Sequence, residues 1–278
     1  MSTPNEKPGK IGVFDSGYGG LTILKEIRRR LPEYEYLYLG DNARAPYGNR
    51  SFDIVYDFTR EAVENLFARG CHLVILACNT ASAKALRSVQ QRILPERYSG
   101  RRVLGVIRPT VEILGNITES RHVGLFATPG TVNSHSYRLE MAKLWPGVHI
   151  TEMACPMWVP LVEAGEADGP GADYFVMKYA DSLLNSDPKI DTIVLGCTHY
   201  PLLLPKIREY VKDDIRILPQ GEIVAESLAD YLRRHPEMEE KCLKGGRVEF
   251  LTTESEERFD SLASLFMNEE VHSRRIIL

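Results

Sequence analysis

The sequence offers no broad positive field, no long apolar run and no paired-cysteine motif. Its 34 Lys and Arg stand against 38 Asp and Glu, a net charge of −4, so it lacks the excess positive charge that draws proteins onto nucleic-acid phosphates, and no nucleic-acid partner is expected. Apolar stretches such as Leu73 to Cys78 fall far short of the roughly 20 residues needed to cross a bilayer. The opening, Met1 to Lys10, is polar and interrupted by Pro4, Pro8 and Gly9, with no apolar core of an export signal. No membrane partner and a cytoplasmic location are therefore expected. The five cysteines (Cys71, Cys78, Cys155, Cys197 and Cys242) are odd in number and form no Cys-x-x-Cys pair, which argues against a disulfide framework or a zinc knuckle. Nucleotide-binding glycine patterns are missing too: the turn Asp15 to Gly20 matches neither G-x-G-x-x-G nor G-x-x-x-x-G-K-[ST].

What is present is 278 residues, 44% hydrophobic and 26% charged, enough for two domains of ordinary size. Short apolar, β-branched runs at Ile11–Phe14, Tyr36–Leu39, Leu73–Ala77, Val103–Val106, Val123–Ala127, Ile193–Leu195, Ile215–Leu218 and Val248–Leu251 read as strands. Between them, Gly20–Leu31, Phe52–Arg69, Ala81–Leu94, Asp173–Leu184 and Ile223–Arg234 carry apolar residues at helical spacing. This alternation favours an α/β fold with mostly parallel sheets and helices on both faces, in which ligands bind beyond the carboxyl ends of the strands.

The chain also repeats itself. Leu73-Val-Ile-Leu-Ala-Cys78-Asn-Thr80 resembles Thr192-Ile-Val-Leu-Gly-Cys197-Thr-His199, and Ile11-Gly-Val-Phe-Asp15-Ser16 has a looser echo in Val123-Gly-Leu-Phe-Ala127-Thr128. The expectation is two pseudo-symmetric α/β domains with the active site between them. Residues 1–108 plus 221–278 form the first, with Asp15 and Cys78, and 109–220 the second, with Glu163 and Cys197. The crossover is placed near Pro109 and the return near Gly221.

Cys78 and Cys197 each follow an apolar run, where a strand ends and a helix begins. Unpaired N–H groups and the positive end of the helix dipole there stabilise a thiolate and lower a thiol from its usual value of about 8.5. The alternative for either alone is a small hydrophobe in the core, and matching positions weigh against it. Asn79, Thr80, Thr198 and His199 place donors beside those sulfurs, either to cap the following helices or to hold a carboxylate. Asp15 accepts from a substrate ammonium group or serves as a turn carboxylate. Asp41-Asn-Ala-Arg-Ala-Pro46-Tyr47-Gly48 makes a shaped loop after the second strand, where Tyr47 or backbone amides reach a ligand. Glu163 follows the apolar stretch from Cys155, which holds it out of water as an acid, or it is a solvated helix carboxylate. Cys71 and Cys155 read as core. Cys242, among Glu239, Glu240, Lys241 and Lys244, reads as surface. Cys197-x-His199 offers two soft ligands, with nothing nearby to complete a metal set.

Together these motifs resemble the glutamate racemase family within the aspartate/glutamate racemase group. FDSGYGGLT, DNARAPYG, ACNTASA, TPGTVNSHSY, ACPMWVPLVE and LGCTHYPLL occur in the expected order. The resemblance implies that Cys78 and Cys197 are the proton donor and acceptor of a cofactor-independent isomerase acting on L- and D-glutamate, with Asp15, Glu163 and His199 supporting the thiols. It implies substrate contacts at Asp15, Ser16, Pro46, Tyr47, Gly48, Asn79, Thr80, Thr131, Thr198 and His199. It further implies a homodimer and a supply of D-glutamate for peptidoglycan. Tyr18, Asn42 and the segment Leu218-Pro-Gln-Gly221 depart from the family's pattern at the rim of the pocket. The competing readings are racemisation of aspartate or another acidic amino-acid derivative, a thiolate phosphatase or reductase, and a non-catalytic two-lobe binding protein. A thiolate phosphatase wants an anion-binding arginine six residues after its cysteine, where Lys84 and Leu203 stand.

Overall fold

The structure, a computed structural model, describes residues 7–278. The first six residues, part of the opening read for an export signal, lie outside the described residues. Among the described residues ten strands alternate with helices: β1 (Ile11–Asp15), β2 (Tyr36–Gly40), β3 (Leu73–Leu76), β4 (Arg102–Gly105), β5 (His122–Ala127), β6 (His149–Ala154), β7 (Thr192–Gly196), β8 (Arg216–Leu218), β9 (Val248–Thr252) and β10 (Ser273–Arg275). The chain divides into two compact units. One comprises residues up to 106 together with Gly221–Leu278, and the other is Ile107–Gln220.

The first unit is built on a six-stranded sheet in the order β10-β9-β2-β1-β3-β4, parallel throughout. Its central strands are buried along their whole length, as expected when helices cover both faces. Successive side chains leave a strand on opposite faces, and the core is divided accordingly. Ile11, Val13, Tyr36, Tyr38, Leu73 and Ile75 enter one cluster, and Phe14, Leu37, Leu39, Val74 and Leu76 the other. Against the second cluster lies the helix Phe52–Ala68, whose buried Val55, Thr59, Ala62, Val63 and Leu66 form one stripe. Ser51 caps that helix by accepting from Ile54 N, and Gly70, with φ +92, lets the chain turn back after it.

The second unit carries four parallel strands in the order β6-β5-β7-β8. Trp158 is fully buried, with ring centroids 4.8 Å from Phe126 and 4.8 Å edge-on from Tyr200. Gln220, where the chain leaves this unit, donates from Nε2 to Thr110 Oγ1 and Tyr137 Oη, both at 2.8 Å. The entering and leaving segments are thereby tied together inside the unit.

Two readings need correction. Strands β6 and β10 escaped the sequence reading because His149, Thr151, Glu152 and the Ser273-Arg-Arg275 run are polar, as befits strands at the outer edge of a sheet. The second unit begins at Ile107, and Pro109 belongs to the first turn of the helix Ile107–Ile117, where a missing N–H leaves no intrahelical bond unmade. Cys242 is buried, not surface. It packs in the first core cluster beside Tyr34 and Met238, and its Sγ donates to Met238 O at 3.3 Å. Cys242→Asp should accordingly lower the unfolding free energy by about 3 kcal/mol in urea titration, because an unpaired charge enters the core. A change below about 0.5 kcal/mol would restore the surface assignment.

Candidate active site

In a parallel sheet every strand delivers its following loop to the same edge. In the first unit that edge gathers the segments after β1, β2 and β3. Cys78 lies two residues beyond β3 and is itself the N-cap of the helix Asn79–Lys84. Its Sγ accepts from Ala81 N at 3.4 Å and donates to Ser16 Oγ at 3.5 Å. The capping acceptor here is thus the sulfur. Asn79 and Thr80 form the helix's first turn and are buried.

Asp15 ends β1, fully buried, and its Oδ2 accepts from Gly17 N at 2.9 Å, the turn role anticipated for it. Gly20 is required by this turn, since a Cβ there would stand 2.4 Å from Asp15 Cβ. Tyr18 points into the core, stacked on Phe259 with centroids 5.5 Å apart.

The loop after β2 departs from expectation in one respect. Tyr47 is buried and its hydroxyl donates to Asp41 Oδ2, so the phenol holds the loop instead of reaching outward. Burial, followed by the adjacent Asp41 carboxylate, pushes that phenol well above its ordinary value, so it stays neutral. Pro46 is exposed, after a cis peptide from Ala45, and Gly48 is half-buried. Asp41, which the sequence reading did not single out, anchors this loop.

In the second unit Cys197 follows β7, with its Sγ 3.9 Å from His199 Nδ1. The other ring nitrogen, Nε2, lies 3.0 Å from Glu163 Oε1. Glu163 closes the helix Trp158–Glu163 and its side chain is 29% exposed. It is therefore neither sealed in an apolar pocket nor simply solvated, but paired. The Trp158–Tyr200 contact packs the segment bearing Glu163 against the one bearing His199. Burial pulls the His199 imidazole down, but hydrogen bonds and charge at Cys197 and Glu163 outweigh it and raise the ring to about 10. Thr198 is buried between the two partners in sequence. Thr131 is buried in the first turn after β5, where Thr128 caps the helix Pro129–Ser134, accepting from Thr131 N at 3.3 Å and donating to Thr131 Oγ1 at 3.1 Å.

The two units are alike in register as well as strand order. Phe14 pairs with Leu76 in the first and Phe126 with Leu195 in the second, and a cysteine stands two residues past the leucine each time. The other three thiols differ. Burial pushes Cys71 and Cys242 up to about 12 and Cys155 well above its ordinary value, so they remain neutral core residues. Among the described residues, no group of three or more His, Cys, Asp or Glu side chains is arranged to hold a metal ion, and no helix is long and apolar enough to cross a membrane.

These features define a class: a duplicated parallel α/β protein with one strand-end thiol in each repeat. Comparison with known proteins gives the family. The Asp/Glu/Hydantoin racemase profile matches residues 20–228. A glutamate racemase of Ruegeria sp. (strain TM1040) is 42% identical over 271 residues, covering 94% of this chain and 97% of the relative. The crystal structure of a Bacillus anthracis glutamate racemase isoform superposes with a TM-score of 0.88 at 32% identity, over 97% of this chain and 98% of that one. A Francisella tularensis glutamate racemase solved with D-glutamate gives 0.84 at 30% identity, over 98% of both chains. The chain belongs to the Asp/Glu/Hydantoin racemase family.

The raised His199 has a pH consequence. Its folded value lies above the unfolded value of about 6.5, so its stabilising pairing is fully present below that pH and is lost as pH rises through about 10. Nitrogen-15 NMR should find the ring doubly protonated at pH 8. The stability gap between the wild type and His199→Gln should be widest near pH 6 and close towards pH 10. A ring titrating near 6.5 would contradict this pairing.

Proposed function

We propose that this protein is a glutamate racemase that works without a cofactor, using Cys78 and Cys197 as its two acid/base groups. The observation that carries the reading is the duplicated thiol, at the same register position beyond the third strand of each unit. Relatives and solved neighbours named as glutamate racemases support the substrate.

The chemistry follows from what racemisation requires. The α-hydrogen leaves one face of the carbon as a proton and a different proton arrives on the other face, so one base and one acid must act from opposite sides. A thiolate at one cysteine takes the proton and becomes a thiol. The second cysteine delivers its own proton to the carbanion and becomes the thiolate, ready for the reverse direction. Charge building on the substrate carboxylate needs fixed donors. Asn79, Thr80 and Ser16 supply them beside Cys78, and Thr198, His199 and Thr131 beside Cys197. Asp15 accepts from the substrate ammonium group, while Pro46, Tyr47 and Gly48 form the loop that bounds it. Glu163 acts through His199, whose imidazolium supplies a positive charge beside the Cys197 sulfur when that sulfur is ionised. With this function go a cytoplasmic location, a homodimer and the supply of D-glutamate to bacterial peptidoglycan.

Proton NMR in D2O with L-glutamate and, separately, L-aspartate should show loss of the α-proton signal and of optical rotation for glutamate. Exchange confined to aspartate would make the protein a sister racemase. Cys78→Ser and Cys197→Ser should each reduce conversion in both directions by roughly a thousandfold, and full activity in either would remove the two-base assignment. Glu163→Gln acts at one remove and should cost only about tenfold, on the order of one charged hydrogen bond. Activity should survive in enzyme shown by absorbance to be free of pyridoxal phosphate.

A further inference from the structure

We infer that Thr253 is a positioning residue for substrate binding, acting through the loop after β2. Strand β9 lies beside β2 and makes it an interior strand of the first sheet. Where β9 ends, two threonines reach across to the loop. The Thr253 hydroxyl donates to Asp41 Oδ1 at 2.9 Å and accepts from Ala43 N at 3.0 Å, while Thr253 N donates to Gly40 O at 3.1 Å. Thr252 Oγ1 donates to Asn42 Oδ1 at 3.1 Å. Asp41 relays the constraint. Its Oδ2 accepts from Arg44 Nε at 2.6 Å and from the Tyr47 hydroxyl, and its backbone N donates to the carbonyl of Asp15 at 3.0 Å.

One hydroxyl therefore donates to a buried carboxylate and accepts from the loop amide of Ala43, and that carboxylate fixes Tyr47 in the centre of Pro46–Gly48. The second unit has no counterpart: its equivalent strand, β6, is the edge of its sheet. The clasp is thus a property of the added strand and not of the repeat. Loop groups that meet a ligand lose affinity when they must be ordered on binding, so loosening the clasp weakens binding more than it slows proton transfer between sulfur and carbon.

This inference rests on the racemase reading and on Pro46–Gly48 bounding the substrate, and its test separates the two. In the full-length protein, Thr253→Val removes the hydroxyl at nearly constant volume, and Thr253→Ser retains it. Hydrogen exchange at the amides of residues 42–48 should quicken in the valine variant and stay near wild type in the serine variant. KM for L-glutamate should rise about tenfold in the valine variant with kcat within about threefold, and serine should restore it. Unchanged exchange in Thr253→Val, equal losses in both variants, or a fall in kcat with KM constant would each overturn the clasp. Wild-type protein that racemises no glutamate would overturn the racemase reading instead, with hydrogen exchange still deciding whether the clasp exists.

Discussion

The geometry depends on parallel strands ending together. In a sheet whose strands all run the same way, every loop that follows a strand emerges at one edge, so Asp15, the Asp41–Gly48 loop and Cys78 become neighbours despite their separation in sequence. The sulfur of Cys78 occupies a strand-to-helix junction and satisfies the amide of Ala81. A serine or aspartate is the commoner cap there, so the fold places a softer atom, whose thiol ionises more readily than a hydroxyl, where an oxygen would serve the helix equally well.

Position, not abundance, selects the chemistry of the cysteines. Burial disfavours ionisation of Cys71, Cys155 and Cys242. At Cys197 the surroundings are organised differently. Glu163, His199 and the sulfur form a line in which a cation sits between two groups able to carry negative charge. Removing either end leaves His199 with one partner fewer in a buried site, so the helix carrying Glu163 and the packing of Trp158 against Tyr200 belong to the electrostatics as much as to the core.

Sequence made the interior of the fold legible because interior strands must be apolar throughout. β1, β2, β3, β5 and β7 stood out for that reason, and the repeat was visible because both cysteines follow such runs. β6 and β10 carry no such signature and were missed, whereas the edge strands β4 and β8 keep apolar runs and were read. Cys242 was misread because its charged neighbours report their own exposure, while the isolated bridge between Gly9 and Cys242 turns the thiol inward. Within the site, residue types were informative and partnerships were not. Tyr47 and Asp41 are six positions apart, yet nothing in their spacing says that the phenol binds the carboxylate. The partnership of Asp41 with Thr253 is more remote still, bridging 212 positions. Gly20 was readable only as a turn glycine, and its closeness to Asp15 emerges from the packing.

One feature of the chain path bears on biosynthesis. The second unit is continuous, Ile107–Gln220, but the first is closed only by Gly221–Leu278. A ribosome making this chain releases all of the second unit before β9 exists, so that unit can reach its native form while the first still lacks the strand that turns β2 from an edge into an interior position. Until then the flank of β2 is open to pairing with other chains, the hazard that unpaired edges present. The first sheet is therefore completed late, by strands that follow Gly221.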